Sequence, residues 1–464
     1  MVHTTYAVEE IKGLISQGHF SAAVWTLKAI GRAGRYRADN IFITLDRDGA
    51  LSTAHAVDLR LAAGETPRPL EGVPFVVKDN IAASGLPFTG GSLALKLPVP
   101  DEDAPVVQSL KDAGAILKGK VERRDYAFGA TSNNAAFGPV LNPHDPTRSA
   151  GGSSGGSAAA IVRGIAPVAL GTDTGGSGRI PASFCGCVGY RPSRPRYSTD
   201  GILQLTWTLD TAALFGTSVS DVITSDTAIL GLEKSSQSFK GNRLKNRILG
   251  IPDDETLSAM ESGVSDTFSK RLELLTDAGC QLKTVNFSQM CTMDQAAAFN
   301  VAMFEANAIW TAFLRETGTT AKELIAGIQS PDVANIFAGL LKSPVNRNAY
   351  FAAMQQVHAL RHYIDDVFKR MVIDAICFPT VPIPPPLVSA KETFSVHGVD
   401  RPLFPTLVRH TSPGALAGLP GLSLPAGTLL SELPFGLEID GLVGCDEDLF
   451  ALALEIEAVM KGLP

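Results

Sequence analysis

Residues 151–179 read GGSSGGSAAAIVRGIAPVALGTDTGGSGR, in which two loops rich in glycine and serine enclose a run of small and apolar residues. The first loop covers residues 151–157 and the second covers residues 171–179. Between them, residues 158–163 predict a short helix, and residues 168–170 predict a buried strand. Helices and strands that alternate in this way are typical of α/β proteins, in which helices cover a parallel or mixed sheet.

Strand and helix signals also alternate on both sides of this stretch. Pro105 predicts the first turn of a helix whose N-cap is Asp103, and residues 253–370 are strongly helical in pattern. Short apolar runs that predict further strands lie at residues 73–77, 115–117, 375–378, 421–424 and 435–439. We therefore expect an α/β fold with a central mixed, twisted sheet, helices on both sides of it and a helical insertion.

The predicted organisation is a single domain over residues 1–464. Strand signals before and after the helical block indicate one sheet that the chain leaves and re-enters, rather than two separate domains. The predicted parts are N-terminal helices at 1–65, a core with both loops at 66–225, a helical insertion at 226–370, and the C-terminal part of the core sheet at 371–464.

Composition and charge exclude several classes of protein. Hydrophobic residues make up 45% and charged residues 19% of the 464 residues, which excludes a disordered chain. The formal net charge is −7 and no basic cluster is present, so nucleic acid is not an expected partner. No apolar run reaches the ~18 residues of a membrane span, and the first twelve residues lack the apolar core of a signal peptide. We expect a cytoplasmic protein that does not bind membranes.

The cysteines predict neither a metal site nor a disulfide framework. No CxxC pair occurs among them, so a zinc site or a dithiol redox motif is not indicated. We expect reduced thiols and no metal or other cofactor. The six cysteines are Cys185, Cys187, Cys280, Cys291, Cys377 and Cys445.

The two loops suggest the chemistry of a serine nucleophile. Glycines around Ser153 allow a backbone conformation that presents a hydroxyl, and no lysine follows as a phosphate-binding loop would require. In the second loop, consecutive glycines before Ser177 expose backbone N–H groups, which an oxyanion hole needs. A serine nucleophile also needs a base. The nearest histidine, His144, lies in a predicted turn, whereas Lys78 ends an apolar strand where burial would keep its amine neutral.

A lysine at the end of a strand usually lies at the surface. A resemblance to a known family nevertheless favours Lys78 as the buried base. The strand 72–80, the loop with Ser153 and the loop with Ser177 together resemble the amidase signature family. The separations of 75 residues (from 78 to 153) and 24 residues (from 153 to 177) are both typical of that family. Further matching motifs lie at residues 131–134, 137–139, 142–143, 378–380 and 418–427.

The resemblance implies a role for each of these positions. Ser177 would be the nucleophile, and Ser153, preceded by a cis peptide bond, would relay a proton to neutral Lys78. Asp173 and Arg179 would be structural, as would Ser154 and Ser157. The oxyanion hole would be formed by the backbone N–H groups of Thr174, Gly175, Gly176 and Ser177, and the acyl pocket would be lined by Thr131, Ser132 and Asn133.

The sequence departs from the family pattern at two places. Gly178 follows Ser177 where most members carry valine or isoleucine, which could widen the pocket or loosen the loop. Residues 119–125 replace the usual Gly-Lys-Thr-Asn run, so the contacts of that run are in doubt. Residues 196–201 and 209–211 look most like the indoleacetamide and mandelamide hydrolase branch, which favours small aryl-acyl amides.

These observations support one main hypothesis and leave three others open. The main one is a hydrolase that cleaves the C–N bond of small aryl or apolar amides through an acyl-enzyme. The same triad could serve a urethanase, that is, a carbamate hydrolase, or an allophanate-like hydrolase, which Gly178 suggests. A glutaminase-type subunit of a tRNA-dependent amidotransferase and a binding protein without catalysis are the other two. The expected partner is a small-molecule amide or carbamate, and the oligomeric state is open, with a homodimer as one option.

Overall fold

The computed structural model describes residues 5–94, 98–232, 244–390 and 392–461, so residues 1–4, 95–97, 233–243, 391 and 462–464 of the predicted domain lie outside the described residues. Within these ranges the chain forms a large sheet covered by helices. None of the described helices is both long and apolar enough to cross a membrane.

The strands form one large sheet and two small ones. The large sheet has eleven strands, and the small ones have two each. In chain order the strands are β1 (Phe42–Leu45), β2 (Pro74–Lys78), β3 (Ile116–Val121), β4 (Asn133–Asn134), β5 (Gly138–Pro139), β6 (Val168–Asp173), β7 (Val188–Arg191), β8 (Thr211–Gly216), β9 (Ile248–Pro252), β10 (Gln281–Val285), β11 (Ala375–Pro379), β12 (Thr393–Val396), β13 (Val399–Pro402), β14 (Gly421–Thr428) and β15 (Pro434–Asp440).

The large sheet is mixed. Its strand order is β1-β3-β2-β6-β8-β7-β14-β15-β11-β9-β10. Strand β2 runs parallel to both β3 and β6, whereas β6 pairs antiparallel with β8. The small sheets pair β4 with β5 and β12 with β13. The predicted mixed α/β fold is confirmed.

Helices cover both faces of the large sheet. They are α1 (Val8–Ser16), α2 (Ala22–Arg35), α3 (Arg47–Ala62), α4 (Pro105–Asp112), α5 (Gly155–Val162), α6 (Ile180–Cys185), α7 (Val219–Ile229), α8 (Asp254–Ser258), α9 (Ser262–Asp277), α10 (Phe287–Thr317), α11 (Ala321–Gly327), α12 (Pro331–Lys342), α13 (Arg347–Met371), α14 (Leu403–Val408), α15 (Thr411–Ala417) and α16 (Asp446–Met460). On one face of β2, Phe75 and Val77 share a core with α4, α7 and α16. On the other face, Val76 packs with α5 and α6.

Three local features differ from the expectations. Strand β1 lies in the N-terminal range expected to be helical, and β9 and β10 lie in the predicted helical insertion, where they join the large sheet beside β11. Helix α4 begins at Pro105 as expected, but its N-cap is Ala104. Asp103 instead accepts a hydrogen bond from the Ser84 backbone and pairs with Lys111. The single domain and its four ranges stay a prediction.

Candidate active site

Lys78 lies at the carboxyl end of β2, on the face that helix α5 covers. All five residues of β2 are buried. Because side chains alternate along a strand, Lys78 points to the same side as Val76, toward α5. The first serine-rich loop ends where α5 begins, so β2 and α5 bring the lysine and this loop together.

The structure brings Lys78 and Ser153 into direct contact. Lys78 Nζ donates a hydrogen bond of 2.8 Å to Ser153 Oγ and another of 2.7 Å to Thr172 Oγ1. The peptide bond between Gly152 and Ser153 is cis, as the resemblance implies. Lys78 and Ser153 are both fully buried. Among the described residues, this amine therefore donates hydrogen bonds to two hydroxyls and to no carboxylate.

The surroundings of Lys78 favour the neutral amine. Burial lowers the pKa of Lys78 well below its ordinary value, and the nearby cation Arg123 lowers it further. Asp173 and Asp210 act in the opposite direction but do not reverse the shift. An amine in this state can accept a proton, which an ammonium cannot do.

Ser177 lies in the second loop, directly after β6. Its residue is 9% exposed, so it is the member of the three that reaches the surface. Gly176 has a φ of +131°, and a Cβ atom there would overlap the Thr411 hydroxyl, so only glycine fits. No hydrogen bond joins the hydroxyls of Ser177 and Ser153 in the described part of the chain. Catalytic hydrogen bonds often tighten only when substrate binds, so this gap does not remove Ser177 from the candidate site.

Asp173 and two arginines hold the second loop in place. Asp173 accepts hydrogen bonds of 2.9 Å from both the Gly176 and Gly178 backbone N–H groups. Burial alone would raise the pKa of Asp173, but the guanidiniums of Arg179 and Arg191 outweigh it and hold that pKa below its ordinary value. The structural role expected of Asp173 and Arg179 agrees with these contacts.

The backbone N–H groups of the second loop are not equivalent. The N–H of Gly176 donates a hydrogen bond to Asp173 Oδ1. Those of Thr174, Gly175 and Ser177 have no acceptor among the residues that the structure describes. Of the four expected members of the oxyanion hole, Gly176 is thus the one that is already engaged.

The residues predicted to line the acyl pocket also support the first loop. Ser132 is buried, its hydroxyl donates to the Gly151 carbonyl at 2.7 Å, and the Gly155 N–H donates to it at 3.1 Å. A Cβ atom on Gly152 would overlap the Thr131 backbone. Asn133 donates its side-chain amide to the Val388 carbonyl at 3.0 Å. The side chain of Ser132 therefore positions the loop that carries Ser153.

Gly178 does not widen a pocket. A Cβ atom at this position would lie 2.7 Å from the Ala213 Cβ and 3.2 Å from Asp173 Oδ2. Both neighbours are buried: Ala213 lies in strand β8, and Asp173 is the last residue of strand β6. The missing side chain permits closer packing against β8, so the interpretation of Gly178 as a source of extra pocket volume is wrong.

Other residues near the site have different relations to the sequence predictions. His144 bonds to the Cys185 carbonyl at 2.9 Å, and its pKa is lowered by burial, with no described hydrogen bond to Ser153 or Ser177. Thr172, which contacts Lys78 Nζ, was not predicted from the sequence, although it lies two residues after Leu170, the partner of Val77 in the parallel pair of β2 and β6. No group of three or more metal-ligating side chains occurs in the part of the chain that the structure describes.

The chain is similar to known amidases over most of its length. The model of the Amidase family matches residues 25–450. The mandelamide hydrolase of Pseudomonas putida is 35% identical over 455 residues, covering 94% of this chain and 87% of the relative. An indoleacetamide hydrolase of Agrobacterium vitis is 32% identical and covers 93% of this chain and 92% of its own length. A crystal structure of an amidase is similar with a TM-score of 0.88 and 31% identity, over 98% of this chain and 99% of that one.

The chain belongs to the Amidase family, the amidase signature family that its motifs resemble. It is a hydrolase that acts on amides, and it is close to the mandelamide and indoleacetamide hydrolases.

Proposed function

We propose that the protein hydrolyses small amides with an aryl or apolar acyl group through an acyl-enzyme on Ser177. Ser153 is the proton relay in this proposal, and Lys78 is the base. The observation that carries the proposal is the 2.8 Å hydrogen bond between a fully buried lysine and Ser153.

The proposed reaction begins with proton transfer along this chain. Ser177 Oγ attacks the amide carbon while its proton passes to Ser153 Oγ, and the proton of Ser153 passes to Lys78 Nζ. The C=O bond becomes a C–O⁻ bond in the tetrahedral intermediate. Collapse of that intermediate breaks the C–N bond, and the proton returns through Ser153 to the leaving amine. Water then attacks the ester carbon and gives its proton through Ser153 to Lys78. The bond between the acyl carbon and Ser177 Oγ breaks, the proton returns through Ser153 to Ser177 Oγ, and the acid is released.

The oxyanion needs preorganised donors. We assign this role to the N–H groups of Thr174, Gly175 and Ser177, because the N–H of Gly176 already bonds to Asp173. Asp173 thereby fixes the loop rather than the substrate. Loss of one such donor costs about 10²–10³-fold in kcat in a well-studied hydrolase.

The similarity to mandelamide and indoleacetamide hydrolases supports the choice of an aryl or apolar substrate. Beside the second loop, Tyr126 packs edge-on against Trp310 and Phe337, with centroid distances of 4.7 and 5.4 Å, and all three rings are buried in the core. Leu205 belongs to the same apolar cluster, and its backbone N–H donates to Asp210, which also accepts from Thr174. The cluster therefore supports the second loop from the core.

The test is hydrolysis by the purified protein without ATP, metal or partner subunits. We expect release of ammonia from mandelamide or indoleacetamide, and loss of detectable turnover in Ser177→Ala. Ser225→Ala is the matched control, because Ser225 is also buried but lies in α7 and bonds only to the Asp221 carbonyl. Undiminished turnover in Ser177→Ala would overturn the assignment of the nucleophile.

The same assay separates the alternative functions. Carbamates and allophanate-like compounds with matched acyl groups measure the leaving-group preference. Activity that requires ATP, tRNA and added subunits would favour the amidotransferase hypothesis. With Gly178 packed against the sheet, its original support for a carbamate substrate is lost.

A further inference from the structure

A buried charged segment follows strand β3. We call residues Glu122–Asp125 the charged segment. All four residues are buried, with at most 6% exposure. It lies within residues 119–125, where the sequence departs from the family pattern. Four consecutive ionisable residues inside a protein need a physical reason, because each uncompensated charge is costly to bury.

The charged segment lies beside the candidate triad. In the parallel pair of β2 and β3, Lys78 is in register with Val121, and the Asp79 N–H donates to the Val121 carbonyl at 3.2 Å. The chain therefore passes Lys78 as it enters the segment. The Arg124 N–H then donates to the Ser153 carbonyl at 3.4 Å. The segment thus contacts the elements that carry Lys78 and Ser153.

Of the two arginines in this segment, Arg123 is the one without an ion pair in the described chain. It is fully buried, and its Nε donates to the Arg124 carbonyl at 3.1 Å. Neither Nη1 nor Nη2 has a hydrogen-bond partner among the described residues. Arg124, in contrast, forms an ion pair with Asp332.

The acidic groups Asp79, Asp125 and Glu122 stabilise the charge of Arg123 from a distance, but none accepts a hydrogen bond from its Nη atoms in the described chain. Asp79 accepts from the Thr89 N–H and pairs with Lys120 at 3.4 Å. Asp125 accepts the Ser330 hydroxyl at 2.6 Å. Burial raises the pKa of Glu122 well above its ordinary value, which disfavours its charge. Burial also lowers the pKa of Arg123 to about 10, so the guanidinium is still positive near neutral pH.

The other groups around Lys78 do not offset the effect of Arg123 on its amine. Ser153 and Thr172 contact its amine without charge. Asp173 attracts a proton to it, but this carboxylate is already paired with Arg179 and Arg191. Asp210 also attracts one, yet burial raises its own pKa and it accepts hydrogen bonds from Thr174 and Leu205. Arg123 repels a proton, which agrees with the lowered pKa of Lys78.

We propose that Arg123 is a positioning residue whose buried, unpaired guanidinium keeps the amine of Lys78 neutral and thus ready to accept a proton. This inference rests on the proposed function, in which Lys78 is the base. Arg123 acts through Lys78 and needs no contact with the substrate.

The test is the pH dependence of kcat/KM in Arg123→Met, measured on the best amide from the substrate screen. Without the cation, Lys78 holds its proton to higher pH, so the acidic limb of the profile moves toward alkaline pH. A like charge disfavours the charged form of its neighbour, and we expect its removal to shift the limb by about one unit. On the acidic limb this is a roughly tenfold lower kcat/KM. At alkaline pH, where Lys78 is neutral in both proteins, the rates should converge.

Arg124→Met is the matched control. It removes the same charge one residue further along the chain, but Arg124 is paired with Asp332 and does not act on Lys78. Its pH profile should keep the wild-type position. Arg123→Lys places there an amine that burial tends to neutralise, so its profile should lie between those of the wild type and Arg123→Met. If Arg123→Met does not fold, Arg123→Gln, which retains an N–H donor, is expected to show the same shift.

The possible results separate this inference from the proposed function. An unshifted profile in a folded Arg123→Met, together with an inactive Ser177→Ala, would overturn the role of Arg123 alone. A raised KM with an unshifted profile would also overturn it, because Arg123 would then contact the substrate. Active Ser177→Ala would overturn the proposed function itself.

Discussion

Two fully buried basic side chains near the same loops have opposite surroundings. Arg179 lies 3.0 Å from Asp173 and 2.8 Å from Glu438, and these carboxylates outweigh burial and raise its pKa. Lys78 is bonded to two hydroxyls, and burial lowers its pKa. Charge compensation thus keeps Arg179 ionised as part of the scaffold, whereas its absence keeps Lys78 neutral and reactive.

Removal of the amine of Lys78 tests this difference most strongly. We expect Lys78→Met to lower kcat/KM at neutral pH by about 10²–10⁴-fold, the usual contribution of a general base. Lys118→Met is the control. Lys118 is also buried, and burial lowers its pKa to about 7, but its amine has no hydrogen-bond partner in the described chain. An equal loss in both variants would mean that a buried amine, rather than its position beside Ser153, determines the rate.

Removing the charge of Asp173, which compensates Arg179 and Arg191, should mainly lower the free energy of unfolding. Asp173→Asn leaves Arg179 and Arg191 with less opposing charge, and removal of one partner from a buried ion pair costs about 3–5 kcal/mol. Urea unfolding at neutral pH measures this loss. Asp366→Asn removes one partner of an exposed pair with Arg370 and should change the free energy of unfolding by less than about 1 kcal/mol. Similar values for the two variants would contradict the comparison.

The smallest expected effect concerns the second hydroxyl at Lys78. Thr172→Val keeps the side-chain shape but removes the acceptor that lies 2.7 Å from Nζ. A hydrogen bond is worth about 1 kcal/mol net, so we expect kcat/KM to fall about fivefold. Thr267→Val, which removes a buried hydroxyl bonded within α9, should leave kcat/KM unchanged. A loss as large as that in Lys78→Met would instead make Thr172 part of the proton path.

The sequence predicted the parts of this molecule that depend on local pattern. The apolar runs at 73–77 and 168–170 became β2 and β6, since buried strands are marked by their own residues. Strands β9 and β10 were missed because they lie within a stretch of strong helical periodicity. The contact between Lys78 and Ser153 followed from a family resemblance, which carries tertiary information that no single segment contains.

What could not be predicted depends on the packing of distant segments. Gly178 suggested extra volume, but its neighbour is Ala213, which only the pairing of the strands reveals. The N–H of Gly176 was expected to be free, yet the turn after β6 directs it to Asp173. Arg123 gave no signal, because its lack of a partner is a property of the assembled core.

The loop that carries Ser177 is fastened by segments far along the chain. The Thr411 hydroxyl donates to the Gly175 carbonyl at 2.6 Å, and Arg179 reaches Glu438. During synthesis on the ribosome, the first of these contacts must wait for Thr411, 236 residues after Gly175, and the second for Glu438, 259 residues after Arg179. A nascent polypeptide that has not reached Glu438 would therefore present Ser177 on an unsupported loop, so hydrolytic competence requires both distant segments to have been synthesised.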